Sequence, residues 1–133
     1  HLRMMEELEI IRMASAMARH AGARHRVIAE NVANADTPGF VARDVKPFTY
    51  FVNEELKPRA TREGHIGAGG PFRNASHPSL VMDAAVQETK NGNSVSLEQE
   101  MVKAVESQGQ HRFALTIMQK SHQLLRLGLG RVR

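Results

Sequence analysis

Apolar residues recur with helical periods at both ends of the chain and lose that order in the middle. Over residues 3–34 a 3/4 spacing runs Met4, Leu8, Ile11, Ser15, Ala18, Gly22, His25, Ala29, Val32. A second stripe runs Ile10, Ala14, Met17, Ala21, Ile28. Positions three and four apart share a helix face, so the spacing predicts one long helix. No proline interrupts it before Pro38. Two stripes predict two buried faces, more than one neighbouring helix requires. The small residues Ser15, Ala18 and Gly22 predict a close approach in the middle of the first stripe.

Residues 96–129 repeat the pattern. Ser96 followed by Gln99 reads as a capping box. Leu97, Met101, Ala104, Gln108, His111, Leu115, Met118, His122, Leu125 and Leu129 keep 4/3 spacing, and Val102, Val105, Gly109, Phe113, Ile117, Leu124 and Leu127 make a second stripe. Sustained heptads predict coiled-coil packing with the first of these stripes buried. Gly109 costs about 1 kcal/mol relative to Ala in a helix interior, which calls for compensating packing there. Gly128 and Gly130 are placed to end the helix.

The middle, residues 40–93, holds four of the five prolines. Phe48–Val52 is a short β-like run, Leu80–Met82 is another, and 59–78 reads as loop. The predicted fold is mainly α: two long terminal helices pair as a coiled-coil-like hairpin, with an irregular, partly β middle segment. Residues 1–39 are the first helix and turn of a core domain, 40–93 the middle segment, and 94–133 the last helix of the core.

Asn31-Val-Ala-Asn-Ala-Asp-Thr-Pro-Gly-Phe40 is the sharpest local feature. Thr37 precedes proline and is pushed out of the helical region. Thr37-Pro38-Gly39-Phe40 fits a type II turn, with Pro at the second and Gly at the third position. Asn31 and Asn34 share a helix face, and each amide both donates and accepts. They can tie the helix end to the turn or to a neighbouring chain.

Composition narrows the chemistry. The chain of 133 residues has no cysteine, which excludes disulfides, Cys-ligated metal and thiol catalysis. Aromatics are only 5%, so a core must be built from small and flexible side chains. No apolar run approaches a membrane span, and the first ten residues lack the apolar region of a cleaved signal peptide. The net charge of +4 is concentrated at the end: after Glu106 no acidic residue follows, while Arg112, Lys120, Arg126, Arg131 and Arg133 do. Such cations complement a helix C-terminus or form a patch for nucleic acid or anionic lipid.

Catalytic and metal constellations are not found. His20 and His25 are five apart, not four, and no HExxH occurs. His111 and His122 fall on the heptad stripe, where a seam buries or half-buries them. The glycine-rich Gly64–Gly70 stretch lacks the Lys-Ser/Thr of a phosphate loop. The expectation is no enzyme, no cofactor and no metal.

The decapeptide resembles the Asn-x-Ala-Asn-x-x-Thr-Pro-Gly-aromatic signature of bacterial flagellar rod and hook proteins, carried here by Asn31, Val32, Ala33, Asn34, Thr37, Pro38, Gly39 and Phe40. It follows a long N-terminal helix, as in that family. Ala42-Arg43-Asp44, the Gly64-His65-Ile66 stretch and Gly92–Met101 resemble the family's smallest, proximal-rod members. The resemblance implies a structural subunit of the proximal rod that assembles helically through its terminal helices. It implies as partners other copies of itself, other rod proteins, a FliE-like adaptor, the inner-membrane ring and the export gate, with no small-molecule substrate and no nucleic acid. It also implies export from the cytoplasm without signal cleavage, to a rod crossing the periplasm. The assembly surface is expected at Leu8, Ile11, Ala18, Gly22 and Val32 on the first helix, and at Met101, Val105, Leu115, Met118 and Leu125 on the last. The competing reading is a soluble helical adaptor or nucleic-acid-associated protein using the basic last helix.

Overall fold

The computed structural model describes residues 2–49, 52, 86–88 and 95–130. Its elements are α1 (Leu2–Ala33), β1 (Arg43–Val45), β2 (Val86–Glu88) and α2 (Leu97–Gly130). At a rise of about 1.5 Å per residue each helix is roughly 50 Å long. The two helices pack as an antiparallel hairpin. Met17 and Ala21 meet Gln110 and Ser107 near mid-length, while Met4 and Glu7 lie beside Leu124 and Leu125 at the far end. This is the predicted hairpin, within a residue at the described helix ends.

α2 starts as its sequence dictates. The Ser96 hydroxyl accepts from the Gln99 amide at 3.4 Å, and the Ser96 carbonyl accepts the first helical bond from Glu100 at 3.0 Å. Glu98 and Glu100 occupy the first turn, where the helix dipole favours acidic groups. Its other end differs from expectation. The helix runs through Gly128 to Gly130, and Gly128 does not turn left-handed.

The seam between the helices is made of small residues. Ala14, Ala21 and Ile28 of α1 are buried, with Met17 half-buried, as the second α1 stripe predicts; Ile10 of that stripe stays exposed. On α2 the buried positions are Glu100, Ser107, Ala114 and Ser121, spaced by one heptad. This seam lies one residue before the predicted apolar stripe, so Gln108, His111, Leu115 and His122 are exposed and only Ala104, Met118 and Leu125 of that stripe are half-buried. The reason is steric and polar together. Ala and Ser let the axes approach, and the close approach lets Ser107 Oγ donate to the Ala21 carbonyl at 2.9 Å. Gly22 plays no such part: a Cβ built there meets nothing within 4 Å. Gly109 is equally open: among the described residues nothing lies within 4 Å of a Cβ built there.

A second face of α1 covers the middle segment. Ala16, His20, Ala23, Val27 and Asn31 are buried along it. Ala23 and Val27 pack on Val45, with Val86 against them. β1 and β2 pair antiparallel, with Val45 opposite Val86. The strand predicted at Phe48–Val52 is not found at its described residues: Phe48, Thr49 and Val52 have helical backbone, and the Phe48 ring packs edge to face on His20. Leu80–Met82, 59–78 and the Gly64–Gly70 stretch lie outside the described residues.

Ala21→Leu and Ala114→Leu should each lower stability by about 1–3 kcal/mol by overpacking the seam. Val105→Ala, though it removes a larger apolar side chain, should change it by no more than about 0.5 kcal/mol, because that side chain is exposed. Urea denaturation monitored by circular dichroism distinguishes the two.

Candidate functional site

The decapeptide is a clasp at the end of α1. Asn31 is fully buried and grips Arg43 of β1 on both backbone groups: Nδ2 donates to the Arg43 carbonyl at 2.7 Å, and Oδ1 accepts from the Arg43 amide at 3.1 Å. Asn34 closes the helix. Its Nδ2 donates to the Glu30 carbonyl, and its Oδ1 accepts from the Thr37 hydroxyl at 3.1 Å. The Phe40 amide donates to the Thr37 carbonyl at 3.2 Å, and Gly39 has φ +78°. That is the predicted type II turn, whose third position needs the left-handed region. Pro38 is exposed, Phe40 half-buried, and Val32 and Ala33 are exposed. Asn34 thus ties the helix end to the turn, and Asn31 ties it to β1 of the same chain.

A charged cluster ties three elements beside this clasp. Arg24 of α1 donates to both carboxylate oxygens of Asp44, Nε at 3.1 Å and Nη2 at 3.2 Å, and through Nη1 to Glu106 of α2 at 3.2 Å. Burial by itself would lower the Arg24 pKa, but the bonds and charges of Asp44, then Glu106, outweigh it and raise it. Lys103 lies 4.0 Å from Asp44 and 3.1 Å from the buried Glu100. The sequence reading missed this cluster. The available signal was spacing: His20 and Arg24 are four apart on one helix, Glu106 and Gln110 four apart on the other, so each pair shares a face.

The outward surface is the other feature. Met101, Val102, Val105 and Phe113 are 69%, 58%, 70% and 60% exposed. They surround Gly109, which leaves that face without a projecting side chain. Of the ten predicted assembly residues, Leu8, Val32, Met101, Val105 and Leu115 are exposed, while Ile11, Ala18, Gly22, Met118 and Leu125 are half-buried at the hairpin. At the open end a cavity of about 510 Å³ lined by Met4, Leu124, Leu125 and Leu127 separates the helices. Among the described residues no group of His, Asp and Glu could hold a metal ion, and no helix is long and apolar enough to cross a membrane. His25, His111 and His122 are exposed and apart from one another in the fold.

The model of the flagella basal body rod protein family matches residues 14–40, from the first buried seam alanine through the turn. The flagellar basal body rod protein FlgB of Salmonella typhimurium is 30% identical over 108 residues, covering 71% of this chain and 74% of that protein. This chain belongs to the FlgB family of flagellar basal body rod proteins. FlgB of Agrobacterium fabrum is 27% identical over 130 residues, 96% of this chain and 97% of that protein. FlgB of Yersinia ruckeri is 27% identical over 108 residues, 71% and 74% of the two chains.

Asn31→Ala should cost about 1–3 kcal/mol, because it leaves the amide and carbonyl of Arg43 without their partner. Gly39→Val should also destabilise, by about 1–2 kcal/mol, through left-handed backbone strain alone, since no atom lies within 4 Å of the added Cβ. Thermal melts of both variants, read at equal concentration, check the two values.

Proposed function

We propose that the chain is a structural subunit of the flagellar basal-body rod that assembles helically through the outer faces of its two terminal helices. Its family membership supports a rod role and a basal-body location. One observation carries the assembly reading: large apolar side chains of an intact hairpin face outward, Val105 and Phe113 foremost. Contiguous exposed apolar surface of this kind belongs at an interface. The unfilled end of the hairpin and the open face at Gly109 support the same reading, since among the described residues nothing packs on either.

The partners in this proposal are further copies and other rod proteins, with a FliE-like adaptor, the inner-membrane ring and the export gate at the proximal end. The role is mechanical, not catalytic. The buried polar groups of the clasp and the charged cluster hold elements of the chain together, and no substrate is required for that.

Electron microscopy of basal bodies from a strain lacking the gene, beside its complemented strain, tests the proposal. Rods should be absent from the first and restored in the second; complete rods in both would sink it. Phe113→Asp and Leu115→Asp should abolish swimming in soft agar while leaving the helix content of the isolated chain unchanged. Normal swimming in both, combined with a defect in Arg126→Glu, would favour the adaptor reading instead.

A further inference from the structure

One buried imidazole joins the hairpin to the middle segment. His20 is 2% exposed, on the face of α1 that covers β1. Its Nε2 donates to the Lys46 carbonyl at 2.6 Å. A carbonyl only accepts, so the proton is on Nε2 and Nδ1 offers a lone pair. Gln110 of α2 fills that lone pair, its Nε2 donating to Nδ1 at 2.9 Å. The Phe48 ring stands against the imidazole edge to face, with centroids 5.8 Å apart. One side chain therefore holds α2 and the 45–48 segment onto α1.

We propose that His20 is a proton-operated latch, holding the 42–48 segment and α2 on α1 while its ring is neutral and releasing them when the ring is charged. A proton on Nδ1 would set two donors against each other across the 2.9 Å contact with Gln110. Gln110 has no escape by turning its amide over. The same Nε2 donates to the Met17 carbonyl at 3.0 Å, and a turned amide would bring two oxygens together there.

Among the described residues, the charged groups around the ring come from each packed element: Arg24 from α1, Asp44 from β1 and Glu106 from α2. Arg24 disfavours the charged ring and Asp44 favours it. Asp44 and Glu106 are both already bonded to Arg24, and Lys103 approaches Asp44 as well. Burial, the largest influence, lowers the His20 pKa from its ordinary 6.5; the bond to Lys46 opposes it in part. The open and unfolded chain therefore takes the proton first as pH falls. The latch is intact above about 6.5 and weakens as pH falls from there through the lower value of the folded state.

The latch does not depend on the rod reading and is tested on the isolated full chain. Histidine ring signals and backbone amide exchange, corrected for intrinsic pH dependence, are followed by NMR from about pH 7.5 to 5. In the unaltered chain His20 should titrate below its ordinary 6.5. Exchange over residues 43–46 should speed severalfold with the same midpoint. His20→Gln, which keeps a donor and an acceptor but cannot titrate, should lose that acceleration; His25→Gln should keep it. Titration of His20 at or above 6.5, or acceleration persisting in His20→Gln, would overturn the latch. Should His20→Gln fail to fold, the unaltered chain decides alone: matching midpoints support the proposal and unmatched ones refute it.

Discussion

Two helices can approach only as closely as the side chains between them permit, and that limit organises this molecule. Ala14 and Ala21 of α1 and Ser107, Ala114 and Ser121 of α2 are the small buried residues where the helices meet. The close approach brings polar groups into register across the seam, so that Ser107 and Gln110 both reach carbonyls of α1. It has a second consequence. Each helix spends its small residues on the partner within the chain, and its large apolar residues are left on the outside. A seam built of Leu and Met would have hidden those residues.

The remaining polar groups attach the middle segment to this hairpin. Asn31 holds β1 by its backbone, Arg24 holds Asp44 and Glu106 together, and His20 holds Lys46 and Gln110. Each of these side chains lies on α1, about one or two turns from the next. A neutral amide, an ion pair and an imidazole respond differently to their surroundings. The amide is indifferent to pH and salt, the partly exposed ion pairs are weakened by salt, and the imidazole responds to protons. Attachment of the middle segment is thus shared among three kinds of contact, not concentrated in one.

Much of the fold was legible in the chain because it follows from local rules. The two long helices came from period and the absence of proline, the start of α2 from Ser96, and the turn from the Thr-Pro-Gly order, whose positive φ at Gly39 only glycine adopts readily. The seam on α2 was misplaced by one residue for a specific reason. Periodicity ranks positions by apolarity, and Leu115 outranks Ala114, yet a close-packed hairpin selects the smaller. Phe48 was read as a strand residue from its β propensity, and a ring contact with His20 overrode that preference.

By itself, then, the sequence determined the two long helices, their order, the helix stop and the family, since these rest on propensities and spacings within a few residues. The tertiary structure decided which stripe of each helix turns inward and which polar residues become partners. Arg24 and Asp44 are 20 positions apart and Ala21 and Ser107 are 86 apart. No periodicity within a helix encodes such pairs. They come from the approach of two backbones, where small side chains and satisfied hydrogen bonds outweigh the apolar content of the faces.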